Sequence, residues 1–217
     1  GEAFAYSLVN SLSGLPLFIF FILILKNIAY GLGSDLEKGV IQTLLSYPLK
    51  RRYILTAKLF SALGIALLLY LAIQIFALFV IAPDVIQNYF TTICLTYLAS
   101  LSSTLLLAGL VLLLALLLKR GGLALIVGIV LYFALGIISS LVMFVAAATG
   151  SDMAPRVYAV IAPNLVLQGY YGGGLAFLTR VWVPTFSEVL LYLGAGYLVV
   201  AFVFVIGYIY FDRRLGI

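Results

Sequence analysis

The chain has 217 residues, of which 65% are hydrophobic and 9% charged, with a net charge of +5 and a mean hydropathy of +1.27. Soluble domains carry about 25% charged residues, so a water-exposed fold could not hide this much apolar surface and lipid must be part of the solvent. The basic residues fall in short clusters between apolar runs, which is the pattern of membrane topology rather than of a nucleic-acid surface. The single cysteine, Cys94, excludes an intramolecular disulfide, and the lack of histidine argues against a His-ligated metal or haem.

A bilayer is crossed by about 20 residues of helix. Charge-free runs at 3–25, 59–83, 85–118, 121–151 and 189–211 therefore predict five spanning helices, placed at about 8–33, 55–83, 88–118, 121–149 and 187–211. Uninterrupted runs such as LLLAGLVLLLALLL exclude the short alternating segments of a barrel. The expected fold is one all-α membrane domain over residues 1–217. Lys26 falls inside the first span. It is read as a residue snorkelling near the inner end of its helix, with a functional intramembrane lysine as the alternative.

The segment 34–54 separates the first two spans. Leu36, Val40 and Leu44 recur every four residues, with Ile41 and Leu45 beside them, which predicts an apolar stripe on a short helix. Ser34 and Glu37 have the spacing of a capping box, and Asp35 and Glu37 suit a helix N-terminus. Pro48 is expected to end the helix, because it biases Tyr47 away from the helical region. Taking this segment as cytoplasmic places nine basic residues inside (Lys38, Lys50, Arg51, Arg52, Lys58, Lys119, Arg120, Arg213, Arg214) and two, Arg156 and Arg180, outside.

In the third run Thr92, Thr96, Ser100 and Ser103 share one helix face. They line a path or, in the more ordinary reading, allow close helix packing. Ala124/Gly128 and Gly136/Ser140 are small-residue pairs of the same kind, with a dimer seam as a further option. Residues 152–185 contain Pro163, Asn164, Gln168 and a Gly172–Gly174 triplet. They predict two short interfacial or re-entrant outer helices, broken at the proline and at the glycines. Tyr158, Tyr170, Tyr171 and Trp182 would form an aromatic belt; a plain anchored loop is the alternative. Asp84, Asp152 and Glu188 have no catalytic partner at a defensible spacing, and the charge-poor spans argue against proton coupling.

The run EKGVIQTLLSYPLKRRYILTAKL resembles the cytoplasmic loop of ABC-2 type transporter permeases at Glu37, Gly39, Leu44, Leu45, Ser46, Pro48, Arg51, Arg52 and Lys58, with Val40 where that family often has threonine. KRGGLALIVGIVLYF, IAPNLVLQGYYGG and YFDRRLGI are similar to its second cytoplasmic turn, outer segment and basic tail. The resemblance implies a type V exporter-like membrane domain in which the loop is a coupling helix and a sixth helix precedes Gly1. Asp35, Glu37, Gly39, Val40, Leu44, Leu45, Pro48, Arg51 and Arg52 would contact a separate ATPase subunit docking on 34–52. It also implies two ATPase copies, a second permease chain as a homo- or heterodimer, and a multi-pass place in the cytoplasmic membrane. The chain lacks a G-x-x-x-x-G-K-[ST] run, so the implied ATP and Mg belong to the ATPase; no cofactor, metal or catalytic residue is expected here. The expected cargo is hydrophobic or lipid-like. A non-transporting scaffold, a force-transmitting subunit and a secondary transporter are the competing readings.

Overall fold

The structure, a computed structural model, describes residues 1–47, 50–172 and 181–214, without the side chains of Arg51 and Arg214. The expectations placed on Pro48, Gly173, Gly174 and Arg180 lie outside the described residues. Among these the chain is all helical. Five helices, Glu2–Glu37, Arg52–Ile81, Phe90–Leu118, Gly121–Thr149 and Phe186–Arg213, are long and apolar enough to cross a bilayer, as in a multi-pass membrane protein.

In chain order, α1 (Glu2–Ile24) passes through a π-helical stretch, π1 (Leu25–Leu32), into α2 (Gly33–Glu37). After Gly39 comes the short α3 (Val40–Leu45). The second long helix is α4 (Arg51–Leu59), π2 (Phe60–Gly64) and α5 (Ile65–Ile81). Then follow α6 (Pro83–Asn88), α7 (Phe90–Leu118), α8 (Gly121–Thr149), α9 (Met153–Ala159), α10 (Asn164–Tyr171) and α11 (Phe186–Arg214). Each π stretch shifts the downstream helix face by adding a residue to a turn.

The first helix departs from expectation at its end. It does not stop near Gly33, so Ser34 is an interior residue and the expected Ser34–Glu37 capping box does not form. Extending a helix costs less than nucleating another, so it continues until a residue takes the left-handed conformation. That residue is Gly39, at φ 73°. The expected single helix across this segment is thus two pieces, α2 and α3. Among the described residues, a capping box does form at Thr185 and Glu188. The Thr185 N–H donates to Glu188 Oε2 at 2.8 Å and the Glu188 N–H to Thr185 Oγ1 at 3.4 Å, at the start of α11.

The contacts divide the chain into two compact units: Gly1–Pro16, Ile73–Leu105 and Ala134–Val199 form the first, and Leu17–Ala72, Leu106–Phe133 and Val200–Ile217 the second. The first unit packs Tyr6, Leu95, Ala99, Ala159, Val166, Leu167, Trp182, Val189 and Leu193 into one core. Residues 153–171 are therefore two helices rather than a plain loop, and α10 buries Val166 and Leu167 in that core. The residues expected to form an aromatic belt also make contacts within the first unit. Trp182 is buried, Tyr171 stacks on Tyr6 at 5.5 Å, and Tyr158 donates to the Leu135 carbonyl at 3.1 Å.

Pro16 stands inside α1. It has no N–H, so the Leu12 carbonyl four residues back loses its helical donor. Gln74 of α5 supplies the replacement: its Nε2 donates to the Leu12 oxygen at 3.2 Å. Tyr97 of α7 donates to Gln74 Oε1 at 3.0 Å. Gln74 is fully buried, and in hydrocarbon only protein groups are available to satisfy such a carbonyl.

Candidate functional site

The charged segment between the first two long helices is a clamp in the second unit. Asp35 of α2 forms an ion pair with Lys58 of α4. Both side chains are about one-third exposed, at 27% and 37%, so solvent screens the pair and it contributes up to about 1 kcal/mol. Glu37 Oε2 accepts the Gly121 N–H at 3.3 Å. It thereby satisfies one of the four donors left free at the start of α8, where a carboxylate also meets the positive end of the helix dipole.

Glycine makes this contact possible. A Cβ on Gly121 would fall 2.7 Å from the Tyr30 oxygen and 2.9 Å from the Ser34 nitrogen, and one on Gly33 would fall 2.8 Å from the Gly121 Cα. The backbones of the first long helix and α8 touch here, which only glycine permits. Further contacts bind α4 to the end of α11. Thr56 Oγ1 lies 3.0 Å from the Tyr208 hydroxyl, and Arg52 approaches Asp212 at 3.9 Å with both side chains well exposed.

The apolar stripe is rearranged by Gly39, whose left-handed turn breaks the four-residue register. Leu36 and Ile41 are buried, Leu44 and Leu45 half-buried, and Val40 is turned outward at 40% exposure. Lys38, Gln42, Thr43, Ser46 and Tyr47 are exposed with it. Asp35 and Glu37 are thus bonded within the chain, while Val40, Thr43 and Tyr47 are exposed. Lys50 stands at the N-cap position of α4 in an extended conformation, and Arg51 is the first residue of that helix.

The hydroxyl face of α7 belongs to the first unit. Thr92, Thr96 and Ser100 are buried there, and Ser103 is half-buried. Thr96 bonds back to the Thr92 carbonyl at 2.7 Å, and Thr104 to that of Ser100 at 3.1 Å. Hydroxyls satisfied within their own helix are suited to packing. Of the small-residue pairs, Ala124 and Gly128 are buried, and a Cβ on Gly128 would run into Leu25; Gly136 and Ser140 are exposed.

One ionic cluster escaped the sequence. Arg156 Nε donates to Asp152 at 2.6 Å and its Nη1 to Glu188 at 2.7 Å, while the guanidinium lies 4.9 Å from the centre of the Trp182 ring. The hydrogen bonds to Asp152 and then Glu188 hold the guanidinium above its ordinary value, against partial desolvation. The i,i+4 spacing of Asp152 and Arg156 was a legible signal; Glu188 and Trp182 come from distant sequence. Among the described residues, groups of carboxylate, cysteine or histidine that could hold a metal are absent.

No family model, no curated protein and no solved structure matches the chain.

Proposed function

We propose that the chain is the permease subunit of an ABC-2 type transporter, an exporter of a hydrophobic or lipid-like substrate in the cytoplasmic membrane. It would work as a dimer with a second permease chain, driven by two ATPase subunits that bind ATP and Mg. One observation carries the reading. The segment after the first long helix is held by Asp35 to Lys58 and by Glu37 to Gly121, and it leaves Val40, Thr43 and Tyr47 outward. A partner seated on that outward face would push on an element anchored to two further long helices. A basic anchor loop alone would need no such fixation.

Affinity purification of the full chain from its own cells, with its neighbouring genes expressed, tests this. An ATPase is expected to co-purify, and Val40→Asp together with Tyr47→Ala is expected to release it while the chain stays folded. Retention of the ATPase and of transport-coupled hydrolysis by that variant would end the coupling proposal. Recovery of the chain without any nucleotide-binding subunit would favour the scaffold reading.

A further inference from the structure

Within the second unit the first two long helices share the walls of an open groove of about 360 Å³. Leu23 and Asn27 line it from the first helix, and Lys58, Ser61, Ile65 and Leu69 follow one another along it from the second. Each π stretch contributes a polar side chain, Asn27 from π1 and Ser61 from π2. The groove starts near the ends of both helices. Lys58 is six residues from the start of the second, and its partner Asp35 is two residues from the end of the first. From there the lining passes from polar to apolar, and Leu69 lies about 16 Å from Lys58 at 1.5 Å per residue.

Asp35 fixes the Lys58 ammonium at the mouth of this groove by accepting a hydrogen bond on Oδ2, which leaves two of the three ammonium N–H groups for other acceptors. The Asn27 amide and the Ser61 hydroxyl make no hydrogen bond to another described residue. An acyl chain satisfies none of these groups, so this end takes a polar occupant, whereas Leu23, Ile65 and Leu69 suit an apolar one. The charges select further. Asp35 and Lys58 cancel, and Asn27 and Ser61 are neutral, so the groove has no net charge with which to favour an anion. It presents a carboxylate beside an ammonium. A zwitterionic head complements that pair, with its phosphate on Lys58 and its cation towards Asp35, while an anionic head meets the lysine and is repelled by the carboxylate. A primary ammonium also donates hydrogen bonds, for which the Asn27 carbonyl, the Ser61 hydroxyl and the second Asp35 oxygen are acceptors; a trimethylated cation has none to give.

We infer that this groove binds one zwitterionic glycerophospholipid with a primary ammonium head, of the phosphatidylethanolamine class. The head lies at Lys58, Ser61 and Asn27, and one acyl chain runs along Leu23, Ile65 and Leu69. The site requires only that the chain sits in a bilayer and is independent of the transport reading.

Native mass spectrometry of the purified full chain in detergent tests it. Phosphatidylethanolamine, phosphatidylcholine and phosphatidylglycerol with the same acyl chains are titrated separately, and the first bound lipid is followed. The intact chain is expected to bind phosphatidylethanolamine about tenfold more tightly than the other two, as one additional hydrogen bond to a charged group would give. Asn27→Leu should bring it down to the level of phosphatidylcholine. Asp35→Asn should turn the preference towards phosphatidylglycerol, because Lys58 then stands uncompensated. Lys26→Gln, at the exposed position next to Asn27 and outside this groove, should leave the order unchanged. Glycerophosphoethanolamine, which has the head and no acyl chain, should not displace the lipid. Equal binding of the three lipids, an unchanged preference in Asn27→Leu or in Asp35→Asn, its loss in Lys26→Gln, or displacement by glycerophosphoethanolamine would each overturn the proposal.

Discussion

The Glu37 carboxylate caps a helix that begins 84 residues later, accepting the Gly121 N–H at 3.3 Å. A side chain three residues from a helix start ordinarily turns back on its own helix. Here the helix has no start at Ser34, so Glu37 at its far end is free to serve another helix. Removing a cap costs about 1 kcal/mol, which shifts the melting midpoint of a chain this size by about 2–4 °C. Glu37→Ala should lower the midpoint in detergent by that amount, and Glu37→Gln by less, since its amide oxygen still accepts the bond. Equal midpoints for all three chains would remove the cap from the account.

Gly121 and its neighbour Gly122 offer an internal control. A Cβ on Gly121 meets the backbone of Tyr30 and Ser34, whereas one on Gly122 meets nothing within 4 Å. Gly121→Ala must separate two helices and should cost about 1–3 kcal/mol. Gly122→Ala should be neutral or gain up to about 1 kcal/mol from the better helix propensity. Thermal melts of the two variants side by side decide it, and similar behaviour would contradict the close crossing.

Gln74 compensates for Pro16, and the two should be coupled. Gln74→Leu leaves the Leu12 carbonyl without a donor and takes away the acceptor that Tyr97 uses, at a cost of about 1–2 kcal/mol. Pro16→Ala restores a helical N–H for Leu12. In the Gln74→Leu background it should recover part of the loss, beyond its effect in the parent chain. A double-mutant cycle measures the coupling; simple additivity would show that Gln74 serves some other purpose.

Arg156 touches two carboxylates and the chain's one tryptophan, so its loss has an optical signature. Arg156→Ala should shift Trp182 emission to longer wavelength, because the buried indole loses the group covering it. It should also destabilise by about 1–2 kcal/mol, allowing for the partial exposure of the pairs. Arg156→Lys should recover only part of this, since an ammonium cannot reproduce the two-pronged contact. Asp152→Ala should do less, leaving the Glu188 contact in place. An unshifted emission spectrum in Arg156→Ala would separate Trp182 from the cluster.

Composition and run length by themselves determined the all-helical architecture and the five long apolar helices. In hydrocarbon a charge-free run can satisfy its backbone only as a helix, so that conclusion needs no knowledge of neighbours. The break of the outer segment at Pro163 was legible for a similar reason, as it follows from one residue's own backbone limits. The left-handed turn at Gly39 and the helix end were not. Ser34 and Glu37 carry a capping signature that the already extended first helix overrides, while the same signature at Thr185 and Glu188 is used. Only the tertiary structure decided which anion meets which cation or donor. Asp35, Glu37 and Glu188 each reach across many residues to a partner, and electrostatic pairing depends on distance in space, which sequence spacing fixes only within one helix. Packing likewise placed Leu25 on Gly128 and Phe21 on Tyr132.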